Sequence, residues 1–253
     1  MKPFLLTLAL AFSLCAKSQP NGYYMHHLST ESKMPVGNVH AVYVDKEGYV
    51  WYSTEENLCR CNGYQIDVFC SDSRHPNLLQ SNFILDIAED NDHHIWFGSS
   101  KGVYLLDKRD YAIHPVAPDK TGDVECDALI ALRDGTVWIS SPPFLLHLDS
   151  QEKQLNIFHT RQGKYVNSFY EDREQNLWML EFNGDICRYD KTRQEFIHYK
   201  YDGNQTIHPQ RMVEDVDNGC YWVSTWGGGI YKFIPNTLNA SALFEHQEAT
   251  SVS

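Results

Sequence analysis

A phrase that ends in tryptophan recurs five times and constrains the fold more than any other feature of the chain. Each copy has an alternating apolar run, an acidic turn, one apolar residue and then the tryptophan. The repeated residues Trp51, Trp96, Trp138, Trp178 and Trp222 stand 45, 42, 40 and 44 residues apart. A period of about 40–45 residues with several short strands is typical of β-propeller blades. We therefore predict an all-β propeller with recognisable blades near 37–72, 81–117, 124–160, 165–202 and 209–246.

The first copy explains why one repeat makes one four-stranded blade. Residues Val39–Val44 alternate with the period of two of a strand, and Asp45–Gly48 supplies the chemistry of a turn. Val50–Thr54 is β-branched and aromatic, and Asn62-Gly63 is a strong hairpin signal before a fourth strand. The innermost strands of the five blades are predicted at Val39–Val44, Phe83–Ala88, Ala128–Leu132, Val166–Tyr170 and Arg211–Val213.

The five repeated tryptophans are interpreted as packing residues between blades, because Trp buries a large apolar area at one fixed place per repeat. Trp226 does not fit the period. It is followed by Gly227 and Gly228, which leave space for a close backbone approach. Trp226, Gly227 and Gly228 are therefore the candidate ligand-binding residues, with packing at a blade edge as the alternative for Trp226.

The N-terminus has the pattern of an export signal. Lys2 precedes an apolar run over Phe4–Leu14, and Ala16-Lys17-Ser18 offers the small residues of a cleavage site. We expect a signal peptide at 1–18, a propeller domain at 19–253, a periplasmic location and no membrane contact by this segment. Leu14 before Cys15 argues against lipidation. The net charge of −12 argues against nucleic acid, whose binding needs a basic surface.

The cysteines predict no metal site. Cys126, Cys187 and Cys220 occupy apolar strand positions in three repeats, which is typical of small buried residues. Cys70 could form a disulfide with Cys59 or Cys61, which share a face of one strand. The acidic turns at Asp90–Asp92 and Asp215–Gly219 lack the ligand count of a calcium loop. No cofactor is expected.

The repeat resembles the two-component regulator propeller repeat, with its Asp-x-x-Gly turn, its Trp-Ile-Gly-Thr strand and its Gly-Leu-x-x-Tyr strand. The best fits are Asp45–Thr54, Ile95–Ser99 with Gly102–Tyr104, and Trp222–Thr225 with Gly229–Tyr231. The third repeat departs most. The resemblance implies the periplasmic sensor part of a hybrid histidine kinase of the Bacteroides type, responsive to oligosaccharides. It implies an oligosaccharide or other small ligand as partner, with the rest of the kinase or a second copy for dimerisation.

The chain carries no phospho-acceptor histidine motif, nucleotide-binding lid or nucleophile elbow, so we expect recognition without catalysis. Two other functions remain open, because fold alone does not decide function. One is a propeller lyase of the streptogramin-lyase or polysaccharide-active type, which a His and Glu on neighbouring inner-strand loops would favour. The other is a passive protein-interaction scaffold.

The resemblance also implies seven blades where five are recognised, so we expect an incomplete propeller. Tyr23–Leu28 is interpreted as an outer strand without a partner, since each of the five blades already owns a fourth strand. Missing blades would expose apolar faces and strand edges on blades one and five. The alternative is a self-closed ring of five blades with a free N-terminal strand.

Overall fold

The computed structural model describes residues 37–69, 81, 83–116, 125–149, 154–159, 165–182, 184–199, 207–236 and 241–247. These residues form strands and turns and contain no helix. They make five four-stranded antiparallel sheets, each built from four consecutive strands. The predicted all-β propeller with five four-stranded blades is confirmed. The predicted signal peptide, Tyr23–Leu28 and Cys70 lie outside the described residues.

The twenty strands follow one order, innermost to outermost, in every blade. Blades one and two are β1 Val42–Val44, β2 Val50–Ser53, β3 Leu58–Cys61, β4 Ile66–Phe69, β5 Ile84–Glu89, β6 His94–Ser99, β7 Gly102–Asp107 and β8 Ile113–Pro115. Blades three and four are β9 Ala128–Ala131, β10 Thr136–Ser141, β11 Phe144–Asp149, β12 Gln154–His159, β13 Val166–Glu171, β14 Leu177–Glu181, β15 Ile186–Asp190 and β16 Glu195–Tyr199. Blade five is β17 Pro209–Asp215, β18 Cys220–Thr225, β19 Gly229–Asn236 and β20 Ser241–Gln247.

The innermost strands lie where the alternation predicts them, with two corrections of length. The first strand begins at Val42 rather than Val39. The Ala41 amide donates to the Ser53 hydroxyl (3.0 Å) while the His40 amide takes the Ser53 carbonyl (3.1 Å), so the regular register ends at Val42. The fifth extends over Pro209–Asp215 beyond the predicted Arg211–Val213, with an irregular register between Pro209 and Arg211.

The core is divided into four apolar clusters, and each cluster joins two neighbouring blades. Trp51 packs against blade two beside Ile87 and Ile95. Trp96, Trp138 and Trp178 occupy the same place in the next three clusters. All four rings are at most 2% exposed. Each buried tryptophan therefore contacts the following blade, where its large apolar area is removed from water.

Antiparallel pairing gives each blade two distinct ends. Innermost strands run from the linker that enters the blade to the acidic turn. The turn end therefore carries the acidic turns and the hairpins between third and fourth strands. The linker end carries the linkers and the turns between second and third strands.

At the turn end, the acidic turn is tied to the repeated tryptophan by a hydrogen bond. The indole Nε1 of Trp51 donates to the Asp45 carboxylate at 2.9 Å. The same bond recurs at 2.8 to 2.9 Å in three other blades, from Trp96 to Asp90, Trp178 to Asp172 and Trp222 to Asp215. Blade three has Leu132 at the aspartate position, and Trp138 instead stacks on His147 at 4.3 Å. The aspartate thus shapes the turn and satisfies the indole N–H.

The turn end also joins one blade to the next through a repeated backbone bond. The amide of Lys46, which follows the turn aspartate, donates to the Glu89 carboxylate of the next blade at 2.7 Å. Arg133 donates in the same way to Glu171, and Arg173 to Glu214. Lys108 is nearly buried and contacts the carboxylates of Asp45 and Glu89. These bonds fix the blades at this end.

Blade five differs from the others in the covering of its tryptophan. Trp222 is half-buried, whereas Trp178 is 1% exposed. Val213 on β17 is 55% exposed, and Val42 on β1 is 64% exposed. Consecutive innermost strands contact each other from β1 to β17, and within the described ranges β1 and β17 make no comparable contact. The outer sides of blades one and five therefore present apolar side chains.

Among the described residues, no helix has the length and apolar character required to cross a bilayer. Cys59 and Cys61 are buried free thiols.

Candidate functional site

Trp226 lies at the linker end, in the turn between β18 and β19. Its side chain is 77% exposed, the largest exposure of any described tryptophan. Its backbone amide donates to the His208 carbonyl at 2.8 Å, which fastens the turn to the linker that enters blade five. The predicted ligand-binding tryptophan is therefore held by its backbone, and its ring is free to meet a partner.

The conformation of the turn explains why glycines follow Trp226. Gly227 has φ +74°, a conformation that residues with a side chain rarely adopt. A Cβ on Gly228 would approach the Thr225 hydroxyl to 2.7 Å. The tight turn thus requires both residues, and it places the indole of Trp226 at the surface.

Blade four repeats this arrangement with a second aromatic turn. Phe182 stands four residues after Trp178, as Trp226 stands four after Trp222. The Phe182 amide donates to the Tyr165 carbonyl at 3.0 Å, which matches the bond from Trp226 to His208. Phe182 is 36% exposed. Blades four and five therefore present one turn aromatic each, on the same kind of backbone support.

The linker residues complete a stack of rings. Tyr165 and Phe182 are stacked, with ring centroids 4.9 Å apart and planes 14° apart. Phe182 and His208 also lie 4.9 Å apart at 35°. Tyr165 and His208 are half-buried. Trp226 adjoins this stack through its amide bond to His208. We call Tyr165, Phe182, His208 and Trp226 the aromatic surface, and such flat apolar faces suit a ligand that has apolar faces of its own.

The polar contact of His208 is with backbone. Its Nδ1 donates to the Phe182 carbonyl at 2.5 Å, so Nδ1 carries the proton and Nε2 of the neutral ring is an acceptor. The histidine thus connects the linker of blade five to the turn of blade four, and Nε2 can accept a hydrogen bond from a ligand hydroxyl.

Two acidic residues near the linker end have raised pKa values. Burial, followed by the charge of Glu125, raises the pKa of Asp127 to about 6. Burial, followed by the charge of Asp127, raises the pKa of Tyr165, a member of the aromatic surface. Burial also raises the pKa of Asp86, although its carboxylate accepts the Leu129 amide at 2.9 Å. Perturbed carboxyls of this kind are common at functional sites.

Two shallow cavities lie elsewhere, around blades three and four. Their volumes are about 400 and 410 Å³. The first is lined by the acidic turn and the β15–β16 hairpin of blade four, including Asn176 and Asp190, and the second by His147 and Phe158. Neither includes the aromatic surface, which is an exposed face rather than an enclosed pocket.

The sequence made Trp226 a candidate and did not point to the other three members of the aromatic surface, and the role of Trp226 in binding stays a prediction. The available signal was position within the repeat. Tyr165 and His208 each directly precede an innermost strand, and Phe182 occupies the repeat position of Trp226. Glu181, Cys187 and His198 on blade four were missed as well. They form a group of metal-ligand residue types among the described residues.

Comparison with known proteins agrees with the sequence pattern. Residues 78–101 match the family described as two component regulator propeller. These residues therefore match one copy of the two-component regulator propeller repeat, and the resemblance of the sequence to that family is confirmed. No curated protein matches the chain significantly.

Solved structures with the same fold include a signalling protein and two lyases. The extracellular domain of a hybrid two component system from B. thetaiotaomicron is 19% identical, with a TM-score of 0.65 over 83% of this chain and 28% of that one. A streptogramin B lyase is 15% identical, with a TM-score of 0.66 over 86% of this chain and 71% of that one. A virginiamycin B lyase from Staphylococcus aureus, solved with quinupristin, is 14% identical, with a TM-score of 0.65 over 83% of this chain and 70% of that one. These likenesses establish the propeller fold.

Proposed function

We propose that this chain is a ligand-sensing propeller segment of a periplasmic two-component signalling protein, that its ligand is a carbohydrate, and that it recognises the ligand without transforming it. The observation that carries this proposal is the aromatic surface at the linker end. The match to the two component regulator propeller family supports the signalling role. The chain spans 28% of the extracellular domain of the hybrid system, so the kinase partner is part of the proposal.

The chemistry of the linker end favours a carbohydrate among small ligands. A pyranose ring offers apolar C–H faces that can lie on the rings of Trp226 and Phe182. Its hydroxyls can donate to Nε2 of His208 and to the Asp127 carboxylate. The net charge of −12 disfavours polyanionic sugars, so a neutral oligosaccharide is the expected class.

A lyase is the second candidate, since streptogramin and virginiamycin B lyases share the fold. Acid–base catalysis needs a titratable group within reach of the transferred proton. The hydrogen-bond partner of the His208 ring is the Phe182 carbonyl rather than a carboxylate. This contact supports a binding role for His208 over the His and Glu pair of a lyase.

A panel of neutral oligosaccharides tests the proposal by two readouts on the same samples. A true ligand raises the free energy of unfolding by about 2.7 kcal/mol at a hundredfold excess over its Kd, which appears as a higher melting temperature. Chromatography of each mixture then shows whether the sugar is intact. A thermal shift with intact sugar supports the sensor, and product formation on a sugar or a streptogramin supports the lyase. If no sugar raises the melting temperature and no product forms, the passive protein-interaction scaffold is the function that remains.

Tyr64 provides a matched control for the site. Its side chain is 96% exposed in the hairpin between β3 and β4, at the turn end. Trp226→Ala should weaken the binding of a confirmed sugar about tenfold, because aromatic stacking contributes about 0.5–1.5 kcal/mol beyond the buried area. Tyr64→Ala should leave affinity unchanged. Equal affinities of the two variants would remove Trp226 from the site.

A further inference from the structure

Three side chains of metal-ligand type converge on the outer part of blade four. Cys187 Sγ lies 2.9 Å from His198 Nδ1 and 3.4 Å from Glu181 Oε1. The Nδ1 and Oε1 atoms lie 3.9 Å apart. They come from β15, β16 and the end of β14, and Cys187 and His198 are direct cross-strand partners. Three neighbouring strands therefore place one sulfur, one nitrogen and one oxygen atom within 3.9 Å of one another.

Other blades fill these three positions with different residues. The position three residues after the repeated tryptophan is Thr54, Ser99, Ser141 or Thr225 in the other blades and Glu181 in blade four. Those small hydroxyls bond turn or linker backbone, as in Ser99 to the Gly102 carbonyl. The partner pair corresponding to Cys187 and His198 is Cys59 with Val68, Tyr104 with Pro115, Leu146 with Ile157, and Tyr231 with His246. Only blade four has ligand types at all three positions.

The distances suit a tetrahedral ion. Zinc binds sulfur at about 2.3 Å and nitrogen or oxygen at about 2.0–2.2 Å, so tetrahedral angles place ligand atoms about 3.3–3.6 Å apart. The separation of 3.4 Å between Cys187 and Glu181 lies within that range, whereas those of 2.9 and 3.9 Å lie just below and just above it. Thiolate and imidazole are poor ligands for calcium and magnesium, which prefer oxygen.

Charge and burial also suit a divalent cation. Cys187 is 1% exposed, and the side chains of Glu181 and His198 are 12% and 18% exposed. A thiolate and a carboxylate buried together repel each other and are costly without compensation. A divalent cation balances both charges, while neutral His198 adds the third ligand. The partly exposed side of the group leaves a fourth position that water can reach.

We propose that Glu181, Cys187 and His198 form a zinc site in blade four. The metal fastens β14, β15 and β16 together at the linker end. Glu181 directly precedes Phe182, so the ion also fixes the turn that presents one ring of the aromatic surface. This site does not depend on the identity of the sensed ligand.

Zinc and cobalt titrations of the purified, reduced chain test the site. We expect one zinc per chain in competition with a chromophoric chelator, and a thiolate-to-cobalt charge-transfer band in the near ultraviolet. Metal affinity should fall as pH falls, since the ligands must be deprotonated. His198→Gln and Glu181→Gln should each weaken zinc binding by at least about tenfold, since even loss of an outer-shell partner typically costs about 10–100-fold. Cys187→Ser should abolish the cobalt band.

Cys126→Ser is the matched control. Cys126 is equally buried, and its thiol bonds the Ala128 carbonyl. It should keep full zinc affinity and the cobalt band. If Cys187→Ser fails to fold, the zinc affinities of Glu181→Gln and His198→Gln decide whether the site exists, because both of these side chains are partly exposed. Absence of saturable zinc binding by the unmodified chain would overturn the proposal. So would zinc affinity that His198→Gln and Glu181→Gln both leave unchanged.

Discussion

The two ends of the propeller differ in how closely their residues repeat from blade to blade. At the turn end, four of the five blades repeat one bond between an aspartate and the indole of a tryptophan. At the linker end, the corresponding positions differ from blade to blade. The residue four after the repeated tryptophan is Glu55, Ser100, Pro142, Phe182 or Trp226. Repetition therefore marks what holds the blades together, and departure from the repeat marks candidates for recognition.

The acidic residues of the two ends show the same contrast. Burial opposes ionisation of Asp172, but bonds from Trp178, Asn176 and Tyr221 outweigh it and lower the pKa of that carboxyl. Asp45 behaves alike, because bonds from Trp51 and Tyr49 and the nearby Lys108 outweigh its burial. At the linker end, burial prevails and raises the pKa of Asp127. Ionised carboxylates thus stabilise one end and are costly at the other.

The largest expected effect comes from the buried tryptophans. Trp178→Ala should lower the free energy of unfolding by about 3–5 kcal/mol, because it opens a cavity between blades four and five. Trp222→Ala should cost about 1–2 kcal/mol, because less area is buried on that side of blade five. Urea denaturation of both variants measures the difference. Equal losses would show that blade five is covered as fully as blade four.

Substitution of the turn aspartate should cause the next largest loss of stability. Asp172→Ala removes the acceptor of the Trp178 indole at 2.8 Å and of the Tyr221 hydroxyl at 2.9 Å. Leaving a buried donor unpaired costs about 1–3 kcal/mol. Glu174→Ala, an exposed residue in the same turn, serves as the control and should change stability little. A loss for Glu174→Ala as large as for Asp172→Ala would mean that the turn, rather than the bond to tryptophan, carries the effect.

At the linker end, we expect a contribution to stability that decreases as pH rises, which is the opposite of what a carboxyl with a lowered pKa, such as Asp172, contributes. The pKa of Asp127 rises from 3.8 to about 6 on folding, so the folded state favours the protonated carboxyl. Its contribution to stability is present at low pH and is lost as pH rises through about 6. Asp127→Asn should therefore gain stability relative to the unmodified chain between about pH 4.5 and pH 7.5, in chemical denaturation at each pH.

The exposed turn residue Asp217 gives the comparison for that experiment. Asp217→Asn removes one carboxylate from the surface and is measured at the same two pH values as the reference variant. A stability difference for Asp127→Asn that does not change between the two pH values would show that its carboxyl is not perturbed by folding.

Much of the fold could be predicted because the repeat encodes it in local chemistry. The alternation of apolar residues located all five innermost strands, and Asn62-Gly63 located the hairpin between β3 and β4. The start of the first strand could not be read in this way. Val39–Ala41 alternate correctly, yet the Ala41 amide bonds the Ser53 hydroxyl and the His40 amide takes the Ser53 carbonyl, which shifts the register before Val42. Side-chain competition for a backbone donor leaves no periodic signal.

The candidate site could be predicted only in part. Trp226 was visible because it broke the period and stood beside glycines. Phe182 and His208 lie 26 residues apart, and their contact depends on the packing of blade four against blade five. The convergence of Glu181, Cys187 and His198 likewise depends on strand register. Cys187 alone fits an apolar strand position, and its metal-ligand neighbours become evident only when β14, β15 and β16 are aligned.

The most direct test of the contrast between the two ends compares Trp226→Ala with Asp172→Ala for both stability and affinity toward a confirmed oligosaccharide. We predict that Trp226→Ala, which alters an exposed ring, changes the free energy of unfolding by less than about 0.5 kcal/mol and weakens binding about tenfold. Asp172→Ala should be less stable and, under conditions where it is folded, should bind with unchanged affinity. Loss of binding in Asp172→Ala with full binding in Trp226→Ala would contradict the assignment of recognition to the linker end.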